Sequence, residues 1–223
     1  MIKTKKGDFV EIEFTAEIKG TGQIFDLTDE EDAKKNKLHN KDFSYGPRAI
    51  CIGQKYVIKG LDDFLVDKEI GKDYTIDIKP EDAFGLKNPK LTKIVATNLF
   101  LKDDIRPIPG LQVNAGSLLA TVKSVSGGRT ILDFNHPLAG KDVIYKVKIK
   151  KLIDSEIKKV QTVLENLLNL KENAYQLKEE EKEIKLTLNF PVPDKLKEEI
   201  SKKIKEVIPT INLFISGKNV PEK

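Results

Sequence analysis

Few polar side chains in this chain could carry covalent or metal chemistry, and their spacing excludes most of it. The two histidines, His39 and His136, stand far apart and lack partners at zinc-ligand spacing, so no metal site is expected. The single cysteine, Cys51, lies in the apolar run Ala49-Ile50-Cys51-Ile52 and reads as a small core residue. Being alone, it rules out an intrachain disulfide and points to a reducing, cytoplasmic setting. No phosphate loop or dinucleotide fingerprint occurs. Ser126-Gly127-Gly128 reads as a hairpin turn, and no cofactor is expected. The most informative stretch runs from Val57-Ile58-Lys59-Gly60-Leu61 to Pro80-Glu81-Asp82-Ala83-Phe84-Gly85, with Phe25-Asp26 upstream. On the residues alone, Asp26 reads as a turn carboxylate binding nearby backbone N–H groups, the commoner use of such a residue. Phe25, Val57, Leu61 and Phe84 read equally well as core between a sheet and a helix.

The elements that must position these residues follow from hydrophobic period. Val10, Ile12, Phe14, Ala16 and Ile18 alternate with polar residues, the period of a half-buried strand. Lys19-Gly20-Thr21-Gly22 turns the chain, and residues 27–44 are polar and irregular, with one helical turn around Glu30–Lys35. A strand is expected at Arg48–Ile52. Leu61, Phe64 and Leu65 share one face of a two-turn helix, and Tyr74, Ile76 and Ile78 alternate until Pro80 ends the strand. Much later, Val143, Tyr145, Val147 and Ile149 form the apolar face of a long strand whose other face is mostly lysine. Residues 1–85 and 141–152 thus supply an antiparallel sheet with one short helix, an α+β pattern. Between them, Leu118–Val122 and Thr130–Phe134 read as strands of an inserted segment, 86–140. After Leu152, helical and strand periods alternate as an αβαβ segment over 153–223. Within it the run Lys178–Glu183 reads as a solvated face or turn, and Asp194 as a helix N-cap.

Composition bounds the function class. Of 223 residues, 39 are basic and 35 acidic, a net charge of only +4, which argues against an obligate nucleic-acid binder. Arginine is scarce (Arg48, Arg106 and Arg129), whereas bidentate phosphate recognition favours it. Met1–Gly7 lacks the apolar core of a signal peptide, and no window of 18 apolar residues suggests a membrane span.

With Phe25-Asp26 upstream, the stretch from Val57 to Gly85 resembles the FKBP-type peptidyl-prolyl isomerases, the macrolide-binding prolyl isomerases. Several separated segments match in the family's order. The insertion point and the run Asn135-His136-Pro137-Leu138-Ala139-Gly140 resemble the SlyD-like branch, in which the insert is a small β-rich insert-in-flap chaperone domain. There His136 reads as making a hinge hydrogen bond. The C-terminal segment resembles the extension of the long archaeal type. The chain's last residues, Lys218–Lys223, lack the histidine- and cysteine-rich metal-binding tail of SlyD.

The resemblance implies a cleft lined by Phe25, Val57, Ile58, Leu61, Phe84 and Tyr145. Leu61 would be its floor, where simple family members carry tryptophan; with no tryptophan here, the pocket should be wider and hold a macrolide only weakly. Asp26 would face the twisted prolyl carbonyl or its neighbour, and the backbone N–H of Ile58 would hold a substrate carbonyl. Phe14 would complete the substrate-binding set. It stands where the family has a tyrosine, so a hydroxyl brought to Asp26 in some members is missing. The implied activity is prolyl isomerisation of unfolded or nascent polypeptides carrying X-Pro bonds, combined with chaperone binding. A non-catalytic holdase is the rival, and docking of the lysine-rich strand face and C-terminal segment on ribosomal RNA is a third reading. The insert should bind clients through apolar residues such as Ile94, Leu99 and Ile108 that about 50 residues cannot easily bury. Residues 153–223 should fold as a separate αβαβ unit and mediate homodimerisation, the alternative being docking on the chain's own isomerase domain.

Overall fold

The computed structural model describes residues 2–102, 104–116, 118–180 and 183–217. In chain order the elements are β1 (Phe9–Ile18), β2 (Ile24–Leu27), α1 (Glu30–Lys35), β3 (Arg48–Cys51), α2 (Lys59–Phe64), β4 (Asp73–Ile78), β5 (Thr92–Ala96), α3 (Asn98–Lys102), β6 (Gln112–Ala115), β7 (Leu118–Ser126), β8 (Arg129–Asp133), β9 (Val143–Leu152), α4 (Glu156–Leu167), β10 (Tyr175–Glu180), β11 (Glu183–Leu188), α5 (Asp194–Val207) and β12 (Leu213–Gly217). They divide into two compact units, Met1–Ile78 with Val143–Lys223, and Lys79–Asp142. No helix among the described residues is long and apolar enough to cross a membrane.

The first unit is built on a five-stranded antiparallel sheet, consistent with the α+β reading. Long β1 pairs along its length with β9, which pairs in turn with β4. The other edge of β1 is shared. Its N-terminal half pairs with β3, with Ile12 opposite Arg48, and its C-terminal half with β2, with Ala16 opposite Asp26. Alternation puts Val10, Ile12, Phe14 and Ala16 with Tyr145, Val147 and Ile149 on one buried face. Leu61 on α2 and Leu65 just after it are fully buried, and α2 packs beside β4 through the Phe64–Tyr74 ring contact.

The outward face of β9 carries lysines that are each paired with a carboxylate: Lys146 with Glu17 at 3.1 Å, Lys148 with Asp73 at 3.2 Å, Lys150 with Glu13 at 3.0 Å and Lys151 with Glu11 at 3.4 Å. This balanced ladder offers no excess positive field to a nucleic acid, which counts against the ribosomal RNA reading.

The C-terminal segment differs from expectation in two ways. It contains a further strand, β10, antiparallel to β11, while β12 runs parallel to β11, giving the order β10-β11-β12. Strand β10 was hidden because only Tyr175 and Leu177 of its six residues are apolar. Lys178, Glu179 and Glu180 are exposed, as a solvated face requires, while Glu181 and Lys182 lie outside the described residues. Nor does the segment keep its core to itself. Val160, Val163 and Leu164 of α4, Leu186 and Leu188 of β11, and Ile200 and Ile204 of α5 share one cluster with Phe9 and Cys51 of the large sheet. Asn166 fastens α4 to β3 by donating to the carbonyl of Ala49 at 3.1 Å. Cys51 is fully buried, as expected, and burial pushes its thiol pKa up to about 12. Helix α5 begins at Asp194, with Pro193 rather than Asp194 in the N-cap position.

The second unit is a four-stranded sheet, β5-β8-β7-β6, around Val113, Ala120, Val122 and Leu132. The expected hairpin is present: Gly127 and Gly128, at φ 55° and 72°, turn β7 into β8 in the left-handed region that hairpins of this length need. Strands β5 and β6 and helix α3 were not legible in the sequence. The unit starts at Lys79 rather than residue 86, and hydrogen bonds close its base. Asn135 accepts from the Asn88 N–H at 2.8 Å and donates to the Asn88 carbonyl at 3.0 Å, and Gly140 N–H donates to the Gly85 carbonyl at 2.8 Å. His136 makes the hinge bond, accepting from the Leu138 N–H at 3.2 Å.

Candidate active site

The two ends of β1's shared edge place the polar pair. Because Asp26 and Tyr145 both stand opposite Ala16, on β2 and β9 respectively, all three project from the same face, with Ala16 in the middle. The small, fully buried Ala16 side chain lies between the carboxylate and the phenol positions on that face. Four residues along β1, Arg48 stands opposite Ile12, and its guanidinium reaches back over the Phe14 ring, 5.3 Å from the centroid, to lie 3.7 Å from the Asp26 carboxylate. The Tyr145 ring meets Phe14 at 5.5 Å and stands edge-on to Phe25 at 6.1 Å. Asp26, Tyr145, Phe14 and Phe25 are therefore one cluster.

Burial sets the electrostatics. Desolvation raises the Asp26 pKa above the ordinary carboxylate value, against the opposing pull of the Arg48 charge and the Leu27 N–H. Burial, reinforced by the nearby Asp26 charge, also raises the Tyr145 phenol, which stays protonated and able to donate at any physiological pH. Phe14 and Tyr145 are only 4% exposed and Leu61 not at all. Phe14 packs against the Tyr145 ring and lies under the Arg48 guanidinium.

Val57 and Ile58 are half-buried at the entry to α2. Ile58 is extended, at φ −58° and ψ 147°, and its carbonyl accepts from the N–H groups of Leu61 and Asp62 at 3.0 Å each. The approach to them is held by Asp62, a buried carboxylate that accepts from the N–H groups of Gly53 at 2.8 Å and Lys55 at 2.9 Å. Phe84 belongs to the second unit, where its ring lies flat on His136 at 4.7 Å.

Sequence reasoning missed two features. Arg48, one of three arginines, is the partner of Asp26. The segment joining α1 to β3, read as polar and irregular, supplies Leu38, Phe43 and Tyr45 to a cavity of about 230 Å³ that Phe25 and Asp26 also line. Three apolar residues within an otherwise polar loop were the available signal.

The chain is similar to several known proteins. Residues 2–102 match the family model of FKBP-type peptidyl-prolyl cis-trans isomerases, and residues 93–138 match a model of the FKBP26 IF domain. A short-type peptidyl-prolyl cis-trans isomerase of Methanocaldococcus jannaschii is 30% identical over 152 residues, 68% of this chain and 96% of that one. An FKBP-type 16 kDa peptidyl-prolyl cis-trans isomerase of Escherichia coli is 23% identical over 110 residues, 48% of this chain and 74% of its own. The FKBP-type isomerase SlyD of Treponema pallidum is 31% identical over 104 residues, 45% and 58% respectively.

Proposed function

Because this chain belongs to the FKBP-type peptidyl-prolyl cis-trans isomerases, we propose that its isomerase site is the Asp26–Tyr145 cluster with the adjoining cavity that Phe25 and Asp26 line, and that its second unit captures unfolded chains for that site. The observation that carries the first part is the placing of Asp26 and Tyr145 on either side of Ala16.

Rotation about a prolyl amide is slow because resonance must be broken, at a cost of roughly 18–20 kcal/mol. No nucleophile is needed. The catalyst must hold proline in an apolar recess and favour the twisted amide over the planar one. Here Phe25 and Val57 receive the ring, over a floor that the fully buried Leu61 supports from beneath. The Ile58 N–H holds a substrate carbonyl, and the Asp26 carboxylate, oriented by Arg48, faces the twisted amide. The Tyr145 hydroxyl supplies a protonated donor.

The second part rests on the exposed apolar side chains of the second unit. Ile94 is 64% exposed, Leu118 61% and Leu101 57%, with Leu99, Ile108 and Leu119 also more than half exposed. Soluble surfaces seldom gather so many large apolar groups on so small a unit without a binding role. Val95, Phe100 and Leu111, by contrast, pack against its core. Two covalent connections, at 78–79 and 142–143, tether a captured chain near the isomerase unit and raise the effective concentration of its prolines. The clients are unfolded or nascent polypeptides with X-Pro bonds, in the cytoplasm. A macrolide binds weakly at the Leu61 floor, and residues 153–223 support a homodimer through their small sheet.

A protease-coupled assay on a short proline peptide tests the catalytic part. Turnover well above the uncatalysed rate, lowered about ten- to a hundredfold by Asp26→Ala, supports it. Binding of proline peptides without turnover would instead establish the non-catalytic holdase.

A further inference from the structure

Arg48, the cation beside Asp26, is placed mainly by its backbone. It is the first residue of β3, follows Gly46 and Pro47, and β3 pairs with β1 alone among the described strands. Its side chain lines a cavity of about 290 Å³ that Gln161 and Glu165 of α4 also line. Its guanidinium lies over Phe14 and 3.7 Å from Asp26, beyond hydrogen-bond range, so no such bond fixes that distance. The C-terminal segment supplies a further hold on this stretch of backbone. Asn166 on α4 donates through Nδ2 to the Thr162 carbonyl of its own helix at 2.9 Å and to the Ala49 carbonyl at 3.1 Å. An amide nitrogen engaged at two carbonyls has both donors used and its orientation fixed. The helix that carries it is anchored in turn. Val160, Val163 and Leu164 are fully buried in the core shared with Phe9 and Cys51.

We propose that Asn166 is a positioning residue for the isomerase site: by holding Ala49 it keeps the adjoining Arg48 at its working distance from Asp26, and so makes α4 part of the catalytic apparatus. The inference rests on the assignment of Asp26 to the twisted amide. Without the Asn166 bond, the start of β3 keeps its ladder to β1 and the Gly46 N–H bond to the Thr28 carbonyl at 2.8 Å, but loses its tie to the helix. Arg48 then samples positions farther from Asp26, and the carboxylate loses both orientation and the cation that favours its charge. Misplacing a reacting group by about 1 Å can cost roughly a hundredfold; Arg48 acts through Asp26, so the loss should be smaller, about three- to tenfold. The pH profile reports the same displacement. The groups facing the Asp26 carboxylate are Arg48 from β3, the Tyr145 phenol from β9 and, in the cavity that Asp26 lines, the Tyr45 phenol. Desolvation raises the Asp26 pKa, and Arg48, the only cation among these groups, pulls it down. A retreating Arg48 therefore moves the acid limb of activity to higher pH.

The test is Asn166→Leu in the full chain, which keeps the bulk of the side chain and removes its donors. In a protease-free assay on a short proline peptide, kcat/KM should fall about three- to tenfold. The acid-limb midpoint should rise, a change that lost stability alone does not produce. Asn166→Gln, which keeps the donor, should recover part of the rate. In an Arg48→Ala background, Asn166→Leu should cost nothing further, because the residue through which it acts is gone. An unchanged kcat/KM and midpoint in Asn166→Leu would overturn the proposal while leaving the Asp26 assignment standing. An equal loss with and without Arg48 would overturn it too. Unchanged activity in Asp26→Asn would instead overturn the assignment on which the proposal rests.

Discussion

Replacing Asp26 with asparagine isolates the charge from the shape. The amide keeps the size of the carboxylate and an oxygen for the Leu27 N–H, but it loses the ion pair with Arg48 at 3.7 Å. Hydrogen bonds to a charged group contribute about 1.5–3 kcal/mol, against roughly 0.5–1.5 for neutral ones. The difference, about 1–2 kcal/mol, is what the charge adds where it faces the reacting amide. At 1.36 kcal/mol per decade, kcat/KM should fall roughly five- to thirtyfold. Asp26→Ala, which removes the acceptor as well, should lose about ten- to a hundredfold. Folding should be little affected. The Asp26 and Arg48 side chains are 30% and 35% exposed, a degree of solvation at which an ion pair contributes at most about 1 kcal/mol, and asparagine also relieves the cost of burying a charge. For a chain of this size that corresponds to a shift in Tm of no more than about 2–4 °C. A protease-coupled peptide assay beside a thermal melt reads both quantities. Wild-type turnover in Asp26→Asn would refute the reasoning, and so would an activity loss matched by collapse of the melt.

The acid limb of activity should reflect the burial of Asp26. Its ionised form is disfavoured in the fold, so kcat/KM should fall with a midpoint above the ordinary carboxylate value of 3.8; a midpoint at or below that value would contradict the desolvation argument. By the same linkage, the cost of holding the charge in the fold is present above the raised pKa and relieved as pH falls through it. Leu164, fully buried where α4 meets the large sheet, should lose about 2–5 kcal/mol on substitution by alanine, read by denaturant unfolding. Truncation after Leu152 uncovers Phe9 and Cys51, so the shortened chain should melt well below the full one or associate through that face; an unchanged melt would show that the shared core contributes nothing. Sedimentation of the full chain tests the dimer, which a monomer mass at high concentration would refute.

The sheet was legible because its strands alternate strictly: Val10 to Ile18 and Val143 to Ile149 announce both faces, and the Gly127-Gly128 hairpin announces its own turn. Asp26, Tyr145, Phe25 and Leu61 were picked out by the family's order of segments, and Asp26 and Tyr145 meet because strand register, invisible in a linear chain, sets both against Ala16. What escaped was long-range or weakly patterned. Arg48 reaches Asp26 only because β2 and β3 share one edge of β1. Strand β10 carries two apolar residues, too few for a period. The join between the C-terminal segment and the large sheet depends on Phe9 and Cys51, whose residue types alone say core without saying whose. The loop bearing Leu38 and Phe43 is ordered by capping, stacking and a Tyr45 hydroxyl, none of which leaves a hydrophobic period.

The division of labour between the two units is tested most directly by replacing residues 86–138 with a short linker. The join falls beside Gly85 and Gly140, already hydrogen-bonded at 2.8 Å, so the isomerase unit should close without strain. The shortened and full chains are then compared on a short proline peptide and on the proline-limited refolding of an unfolded protein. The shortened chain should keep its activity on the peptide and lose most of it on the protein. Equal acceleration of protein refolding by the two chains would contradict the capture role of the second unit, and loss of the peptide activity from a folded shortened chain would contradict the placing of the isomerase site within the first.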